Sequence, residues 1–255
     1  MQHNPYDGPF MTRILTYNVH SCRGVDGKLD VGRVADVIAQ SRPDIIALQE
    51  VDVGRRRTHG VDQAHAIAER LGMAFHFNAA VHVEEERYGD AILTALPLKL
   101  IKSGPLPTPP RMQRLEPRGA LWVEIEVESG HKVQIINTHL GLVPMEQKTQ
   151  AAHLLGGEWL GHPKCSDPLI LLGDFNATPR YAAYKALSGR LRDARRAAGV
   201  RGGALTFPSR FPMIRIDHMF ISPSIEVANM HAPDGALMKI ASDHLPLVAD
   251  FRVRG

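Results

Sequence analysis

The chain alternates short apolar runs with stretches of helical periodicity. The apolar runs have strand length and strand composition, and they predict strands at 13–19, 44–50, 73–77, 90–96, 119–127, 132–140, 169–176, 215–222, 225–231 and 245–253. Apolar positions at helical spacing predict helices at 30–40, 61–72, 145–160, 180–187 and 190–198. Helix-linked strands at both ends and a hairpin-rich middle indicate mixed β-sheets covered by helices.

Local signals mark where several of these elements begin and end. Asp30 is placed as an N-cap residue, Pro43 stops the first helix, and the second helix ends at Gly72. Between two predicted strands, the stretch SGPLPTPP (103–110) predicts a rigid, proline-rich loop. These signals divide the chain into short elements of the lengths usual in α/β proteins.

No break in composition marks a linker, so we predict one domain over residues 12–255 after a flexible tail at 1–11. A weak internal repeat supports an architecture of two similar halves. The same order of elements occurs twice: a strand with a polar end, then a helix, then a strand with an acidic end. It extends from Asn18 to Glu50 and again from His139 to Asp174. Two such halves would suit a sandwich of two sheets with a site along one edge.

Composition narrows the class of protein. With 255 residues, 44% hydrophobic and 22% charged, the chain is typical of a globular protein. The net charge of +3 permits an anionic partner without requiring one. Cys22 and Cys165 are far apart and indicate neither a disulfide framework nor a zinc ribbon. The absence of a membrane span and of a secretion signal predicts a cytoplasmic protein.

The stretch LILLGDFNATP (169–179) ends a predicted core strand with two polar side chains, Asp174 and Asn176. Residues two apart in a strand point the same way, so both side chains are predicted to project together. A carboxylate removed from water needs a cation or hydrogen-bond donors to compensate it. The stretch is therefore either a polar turn or part of a functional site.

The same pattern recurs at other strand ends, which favours a site. Because strand ends meet along one edge of a sheet, the polar groups that close them are expected to converge. The recurring set comprises Asn18, Glu50, His139, Asp217, Asp243 and His244.

These residues lie in motifs that resemble, in order, those of the endonuclease/exonuclease/phosphatase superfamily, the DNase-I-like proteins. The motifs are TYNVH, LQEVD, YGDAILT, NTHLG, GDFNATP, RIDHMF and SDHLPLVADF, and they span most of the chain. The resemblance implies an α/β fold, a four-layer sandwich of two mixed β-sheets flanked by helices. It also implies metal-dependent cleavage of a phosphate ester.

The resemblance assigns roles to the strand-end residues. Asn18, Glu50 and Asp243 are the implied metal site, and their oxygen ligands suit Mg²⁺ or Mn²⁺ better than zinc. Asp174 and Asn176 are implied to position the attacking water and a phosphate oxygen, and His139 to contact phosphate. His244 is the implied acid/base residue, and Asp217 is implied to hold its ring. Family members differ on whether the histidine or the Asp174-type carboxylate accepts the proton of the water, so this point stays open.

Three further positions are open to two interpretations each, and two others depart from the pattern of the family. Tyr88 and Arg118 are either phosphate-binding residues or an exposed loop tyrosine and a solvated arginine. His20 is either an outer ligand of the metal site or a loop histidine. Asp90 stands where relatives commonly have asparagine, and His218 replaces a frequent aromatic residue.

The substrate is expected to be a phosphodiester, either a small or lipid-linked one or a nucleic acid. Three basic clusters bear on this choice: Arg55–Arg57, the loop carrying Arg111, Arg114 and Arg118, and the segment 190–201. No aromatic residues interleave with them as in a platform for single strands. The LQEVD motif and the small size of the chain favour a small or lipid-linked phosphodiester, such as a phospholipid or sphingolipid head group, over DNA or RNA. A membrane surface is a source of such a substrate, and no protein partner is implied.

Other classes find less support. The chain has no GxSxG elbow of serine hydrolases and no GxxxxGK[ST] loop of P-loop proteins. GDFN does not fit the motifs of binuclear metallophosphatases. A non-catalytic phosphate-binding module is the competing hypothesis, although such a protein is expected to have lost site residues and none is missing here.

Overall fold

The computed structural model describes residues 11–83, 86–112, 114–200, 202 and 204–254. The predicted N-terminal tail lies almost wholly outside the described residues, so it stays a prediction.

Twelve strands and six α-helices form in the described part of the chain. The strands are β1 (Thr12–Asn18), β2 (Ile45–Val53), β3 (Ala74–Val83), β4 (Glu86–Thr94), β5 (Leu98–Leu106), β6 (Arg118–Glu126), β7 (Lys132–His139), β8 (Leu169–Asp174), β9 (Arg192–Asp193), β10 (Asp217–Ile221), β11 (Ile225–His231) and β12 (Leu247–Val253). The helices are α1 (Val31–Ser41), α2 (Gln63–Leu71), α3 (Pro144–Leu155), α4 (Ala182–Arg190), α5 (Ala194–Ala197) and α6 (Met238–Ala241).

The strands form two six-stranded sheets of the same topology. The first sheet has the order β11-β12-β1-β2-β4-β3 and the second the order β5-β6-β7-β8-β10-β9. In each sheet the two central strands are parallel, β1 with β2 and β7 with β8, and their neighbours are antiparallel. The two central pairs are joined by α1 and α3, so the internal repeat predicted from the sequence is present in the fold.

Three clusters of buried side chains define four layers. One cluster lies between the sheets and joins residues such as Ile14 and Ile92 to Leu121 and Ile170. A second packs the first sheet against α1 and α2, and a third packs the other sheet against α3 and α4. The predicted fold class, two mixed sheets flanked by helices, is confirmed.

The ends of the first two helices follow the sequence signals. The Asp30 side chain accepts a hydrogen bond from the backbone N–H of Arg33 at 2.8 Å, which caps α1. Gly72 ends α2 in the left-handed conformation, with φ of 67°. Both signals act locally, and for this reason the sequence predicts them correctly.

Three predicted elements are wrong in part. The proline-rich stretch 103–110 is not wholly a loop, because its first residues complete β5, a strand that the sequence did not predict. β5 is an edge strand with a largely exposed surface, where buried periodicity is weak and Pro105 is tolerated. The helix predicted at 145–160 ends at Leu155, and the segment 190–198 is a two-residue strand followed by one helical turn.

A buried ion pair anchors the segment that leads into β10. Arg215 Nη2 donates to Asp193 Oδ2 at 2.8 Å, and both side chains are at most 5% exposed. The Tyr184 hydroxyl donates to the same carboxylate, which also caps α5. Burial opposes the charge on Asp193, but Arg215 outweighs it and lowers the pKa of this carboxyl to about 2.

Replacing this carboxylate is expected to weaken the fold. Asp193→Asn leaves Arg215 buried without its partner, so we expect a loss of about 3 kcal/mol in the free energy of unfolding at pH 7. Because the pKa of Asp193 is lowered on folding, its contribution is complete above about pH 4 and is lost as the pH falls toward 2. Urea unfolding of both proteins across this range is the measurement.

The matched control is Asp36→Asn, which removes a carboxylate from a surface pair with Arg70 whose side chains are about half exposed. We expect its cost to be less than about 1 kcal/mol. Equal losses for the two variants would contradict the role given to Asp193.

Candidate active site

The ends of strands from both sheets meet at one buried carboxylate, that of Asp174. Asp174 closes β8 in the second sheet, and Asn18 closes β1 in the first. Asn18 Nδ2 donates to Asp174 Oδ2 at 3.0 Å and to Glu50 Oε1 at 3.0 Å. The amide of Asn18 therefore joins two acids across the interface between the sheets.

Glu50 reaches this point through an irregularity in β2. The pairing of β2 with β4 shifts register between Leu48 and Val51, so that two residues of β2 oppose one of β4. Glu50 adopts a left-handed backbone with φ of 59°, which is uncommon for a residue other than glycine. A bulge of this kind redirects a side chain, and here Glu50 lines the pocket.

Asp174 and Asn176 both line the pocket, as predicted, but not because a strand continues through them. The strand ends at Asp174, and Asn176 has a left-handed backbone with φ of 48°. The backbone N–H of Asn176 donates to Asp174 Oδ1 at 2.8 Å, leaving Oδ2 for the other contacts. Burial is the main cause that raises the pKa of Asp174, to about 7.

Asp217 holds His244 by its inner ring nitrogen. His244 Nδ1 donates to Asp217 Oδ2 at 2.9 Å, and the hydroxyl of Thr206 donates to the same oxygen. The outer nitrogen, Nε2, lies 3.6 Å from Asp174 Oδ2. Burial disfavours the charged ring, but the two carboxylates outweigh it and raise the pKa of His244 to about 10.

His139 is also buried beside Asp174 but has a different environment. Arg118 Nη1 donates to His139 Nδ1 at 3.0 Å, while His139 Nε2 lies 3.5 Å from Asp174 Oδ2. Asn176 Nδ2 lies 3.0 Å from the same Nε2. Burial and the positive charge of Arg118 hold the pKa of His139 well below its usual range, so the ring is neutral at neutral pH.

Tyr88 and Arg118 are buried residues that line the pocket, so the alternatives of an exposed loop tyrosine and a solvated arginine are wrong. Tyr88 lies within β4 and its hydroxyl interacts with Arg118. The Arg57 guanidinium lies 5.1 Å from the centre of the Tyr88 ring. Arg57 also donates to both oxygens of Asp52 at 2.7 Å.

Asp243 also lines the pocket, one residue before His244. The Ser242 hydroxyl donates to the backbone oxygen of Asn18 at 2.7 Å, which ties this segment to the end of β1. His20 Nδ1 lies 3.8 Å from Asp243 Oδ1, and both residues line the pocket. His20 is therefore a neighbour of the predicted metal site and not a remote loop histidine.

The predicted site residues surround one open pocket of about 540 Å³. Eight of the ten line it directly, and Asn18 and Asp217 lie behind it in contact with the lining carboxylates and His244. The eight lining residues are Glu50, Tyr88, Arg118, His139, Asp174, Asn176, Asp243 and His244. The structure thus brings together side chains from Asn18 to His244 that are scattered along the chain.

Two of the uncertain positions lie outside the pocket. Asp90 is buried in β4 opposite Asn78, and burial raises the pKa of its carboxyl well above the usual range. His218 packs among Phe175, Tyr184 and Phe220, and its Nε2 lies 2.7 Å from the backbone oxygen of Ala177. Both residues therefore shape the walls behind the site.

Of the three basic clusters, two contribute one lining residue each, Arg57 and Arg118. The segment 190–201 does not line the pocket in its described residues. Arg192 instead donates to the backbone oxygens of Ser222, Pro223 and Ile225. The side chain of Arg111 lies outside the described residues.

Sequence reasoning missed several lining residues, including Arg23, Thr178, Phe207 and Ile214. They lie in loops, where no periodicity points to them. The ring of Phe207 lies 4.9 Å from the ring of His244, and Thr206 holds Asp217. For Thr206, Phe207 and Ile214 the only sequence signal is proximity to RIDHMF, and that signal is weak.

The donor set fits a hard divalent cation. The carboxylates of Glu50 and Asp174 share the neutral donor Asn18 Nδ2, an arrangement in which a cation would offset two negative charges. Ligand atoms of Asp174, Asp217 and His244 also lie within 4.8 Å of one another. We favour the first group, because Asp217 Oδ2 is already engaged by His244 and Thr206.

Comparison with known proteins identifies the family of this chain. Residues 15–244 match the Endonuclease/Exonuclease/phosphatase family. The chain belongs to this family and is accordingly a hydrolase of phosphoester bonds. No helix among the described residues has the length and apolar character needed to cross a membrane.

Similar proteins cover nearly the whole chain. YbhP, an uncharacterized protein of Escherichia coli, is 26% identical over 96% of this chain and 97% of its own length. A functionally unknown conserved protein from Enterococcus faecalis superposes with a TM-score of 0.79 at 20% identity, covering 95% of this chain and all of that one. The human Nocturnin catalytic domain superposes with a TM-score of 0.72 at 25% identity, covering 95% and 94%.

Asp217 is expected to act by positioning His244. In Asp217→Asn the partner of Nδ1 is neutral and its amide can face either way, so we expect kcat on bis-p-nitrophenyl phosphate to fall about a hundredfold or more. KM should change little, because Asp217 does not line the pocket. Steady-state kinetics separate the two constants.

Thr206→Val is the matched comparison, since it removes the other hydrogen bond to Asp217 and keeps the side-chain shape. We expect its kcat to stay within about tenfold of wild type, because the His244 contact remains. A larger effect on KM than on kcat in Asp217→Asn would contradict a positioning role.

Proposed function

We propose that this chain hydrolyses a phosphodiester with the help of Mg²⁺ or Mn²⁺. The observation that carries the proposal is the environment of one atom, Asp174 Oδ2. Asn18 Nδ2, His139 Nε2 and His244 Nε2 lie 3.0, 3.5 and 3.6 Å from it, at the base of an open pocket. Acid, amide and imidazole groups thus surround a space that a phosphate and a water can enter.

The cation would be held by the carboxylates of Glu50 and Asp243, with Asp174 beside them. Asn18 would join them by turning its oxygen toward the cation, because its Nδ2 now faces Glu50 and Asp174 and its Oδ1 accepts from the backbone N–H of His20 at 3.0 Å. All of these offer oxygen atoms, the ligands that Mg²⁺ and Mn²⁺ prefer. When bound, a divalent ion neutralises phosphate charge and stabilises the additional charge of the transition state. The cation would also offset the negative charges of Glu50 and Asp174, which otherwise repel an anionic substrate.

Three residues, Arg118, Asn176 and His139, are placed to receive the phosphate oxygens. Arg118 brings a permanent positive charge, held against Glu116 at 2.9 Å and against His139 at 3.0 Å. Asn176 and His139 present an amide and a ring nitrogen to the same part of the pocket. Donors fixed in advance by such contacts stabilise developing charge without reorganising.

The pair formed by Asp174 and His244 is suited to handle the proton of the attacking water. Both groups are buried, their polar atoms lie 3.6 Å apart, and Asp217 fixes the orientation of the ring. Orientation of a base by a third group is a general feature of such sites. The side chains of Asn176 and Asp174, which both line the pocket, would align the water against phosphorus.

The lining of the pocket favours a small or lipid-linked diester over a nucleic acid. Leu142, Tyr181, Phe207, Ile214 and Ile216 form part of its wall, whereas a nucleic-acid channel combines basic side chains with stacking platforms over several nucleotides. A binding module without catalysis is not favoured, because the buried acids and histidines are all retained around Asp174.

Hydrolysis is expected to require the cation. With bis-p-nitrophenyl phosphate, activity should be lost in EDTA and restored by Mg²⁺ or Mn²⁺. Glu50→Gln should need at least about tenfold more Mg²⁺ for half-maximal rate, because one carboxylate ligand is lost. The measurement is initial rate against metal concentration, and Asp36→Asn controls for the loss of any carboxylate. Full turnover in EDTA would refute the metal requirement.

Two substitutions test the central pair. Asp174→Asn preserves the side-chain shape, and His244→Ala removes the ring, and we expect each to lower kcat about a hundredfold or more. Circular dichroism establishes that the variants remain folded. If either variant keeps a rate within a few-fold of wild type, that residue does not act in the reaction.

A further inference from the structure

Large apolar side chains on the surface are concentrated in chain segments that also contribute residues to the pocket. Nine are exposed among the described residues, and seven of them lie in three segments of the second half of the chain. We call these seven residues the apolar rim: Leu142, Met145, Tyr181, Leu205, Phe211, Met213 and Ile214. Single exposed apolar residues are ordinary, but such a concentration marks an interaction surface.

The apolar rim is continuous with one wall of the pocket. Leu142, Tyr181 and Ile214 belong to both. Phe211 and Met213 lie outside the pocket and are 75% and 72% exposed. An apolar group that enters the pocket beside the phosphate would therefore continue onto the rim.

The two sheets contribute different chemistry to the pocket. Strands and loops of the first sheet contribute only polar or ionisable lining residues in the described part of the chain, among them Arg23, Arg57 and Tyr88. Loops of the second sheet contribute every aliphatic or phenylalanine lining residue. A ligand that contacts both sides of the pocket is therefore expected to have an anionic part and an apolar part.

Basic side chains accompany the apolar rim. Arg180 precedes Tyr181, Arg210 precedes Phe211, and Lys148 follows Met145 by three positions in α3, and all three are exposed. Apolar side chains that enter the acyl region, next to cations that contact head groups, are the usual pattern of a surface that binds an anionic bilayer. In a twofold contact between copies of this chain, these cations would instead be brought near their own equivalents.

We propose that the apolar rim docks on an anionic lipid surface, and that the pocket acts on a phosphodiester of a lipid head group. The second part rests on the proposed function, whereas the docking does not. Phe211 and Met213 enter the bilayer interface, and Arg180, Arg210 and Lys148 contact lipid phosphates. The pocket, which opens beside the rim, then faces the head-group layer.

Docking is tested by co-sedimentation with vesicles of phosphatidylcholine and phosphatidylglycerol in equal amounts, in EDTA so that no lipid is cleaved. We expect wild type to bind, and the double variant Phe211→Ser/Met213→Ser to bind at least about tenfold more weakly. Leu100→Ser is the matched control, because Leu100 is 43% exposed on β5 and does not line the pocket. It should bind like wild type. Circular dichroism verifies that each variant is folded.

Three results would overturn the docking. These are no binding of wild type, equal loss in the double variant and in Leu100→Ser, or a wild-type dimer that the double variant dissociates. Binding without hydrolysis of bis-p-nitrophenyl phosphate in Mg²⁺ would refute the proposed function and leave the docking intact. Hydrolysis of that diester without vesicle binding would refute the docking and leave the proposed function intact.

Docking also predicts a preference for substrate at a surface. In Mg²⁺, wild type should release the head group of a vesicle phospholipid, and the double variant should do so at least about tenfold more slowly. Leu100→Ser should match wild type in this assay. Equal rates for the double variant and Leu100→Ser would show that the rim does not present the substrate.

Discussion

The contact between Asn18 and Asp174 is the constraint on which the site depends. It joins the end of β1 in one sheet to the end of β8 in the other, over 3.0 Å. Asp174 is only 1% exposed, and a carboxylate in that position is costly unless its neighbours compensate it. The face-to-face packing of the two sheets brings Asn18, His139 and His244 around it, so the core between the sheets also determines the geometry of the chemistry.

The site uses backbone conformations that the remainder of the fold must hold. Glu50 and Asn176 both have positive φ, and each directs a polar group into the pocket. Gly173 lies so close to β7 that a Cβ at this position would approach the backbone oxygen of Thr138 to 1.8 Å. Such positions persist only where surrounding structure over-determines them, and here the paired strands on either side do so.

The repeated topology gives the two halves equivalent places but different tasks. The first half contributes Asn18 and Glu50, the groups that the proposed function assigns to a cation. The equivalent strands of the second half bring His139 and Asp174, to which the proposed function assigns the phosphate and the water. The aliphatic part of the pocket wall comes only from the second half among the described residues, so the duplicated framework supports a pocket with two chemically distinct sides.

The sequence by itself determined the elements whose signals are local, such as the cap at Asp30 and the end of α2 at Gly72, and it determined the family through its ordered motifs. It also predicted ten site residues, of which eight line the pocket and two contact those eight. Only the tertiary structure decided how they meet, because the Leu48–Val51 bulge, the Asn18–Asp174 contact between the sheets and the placement of Phe207 depend on residues distant in the chain. The edge strand β5 and the apolar rim were not predicted for the same reason: exposure is a property of the assembled fold, and no local pattern carries it.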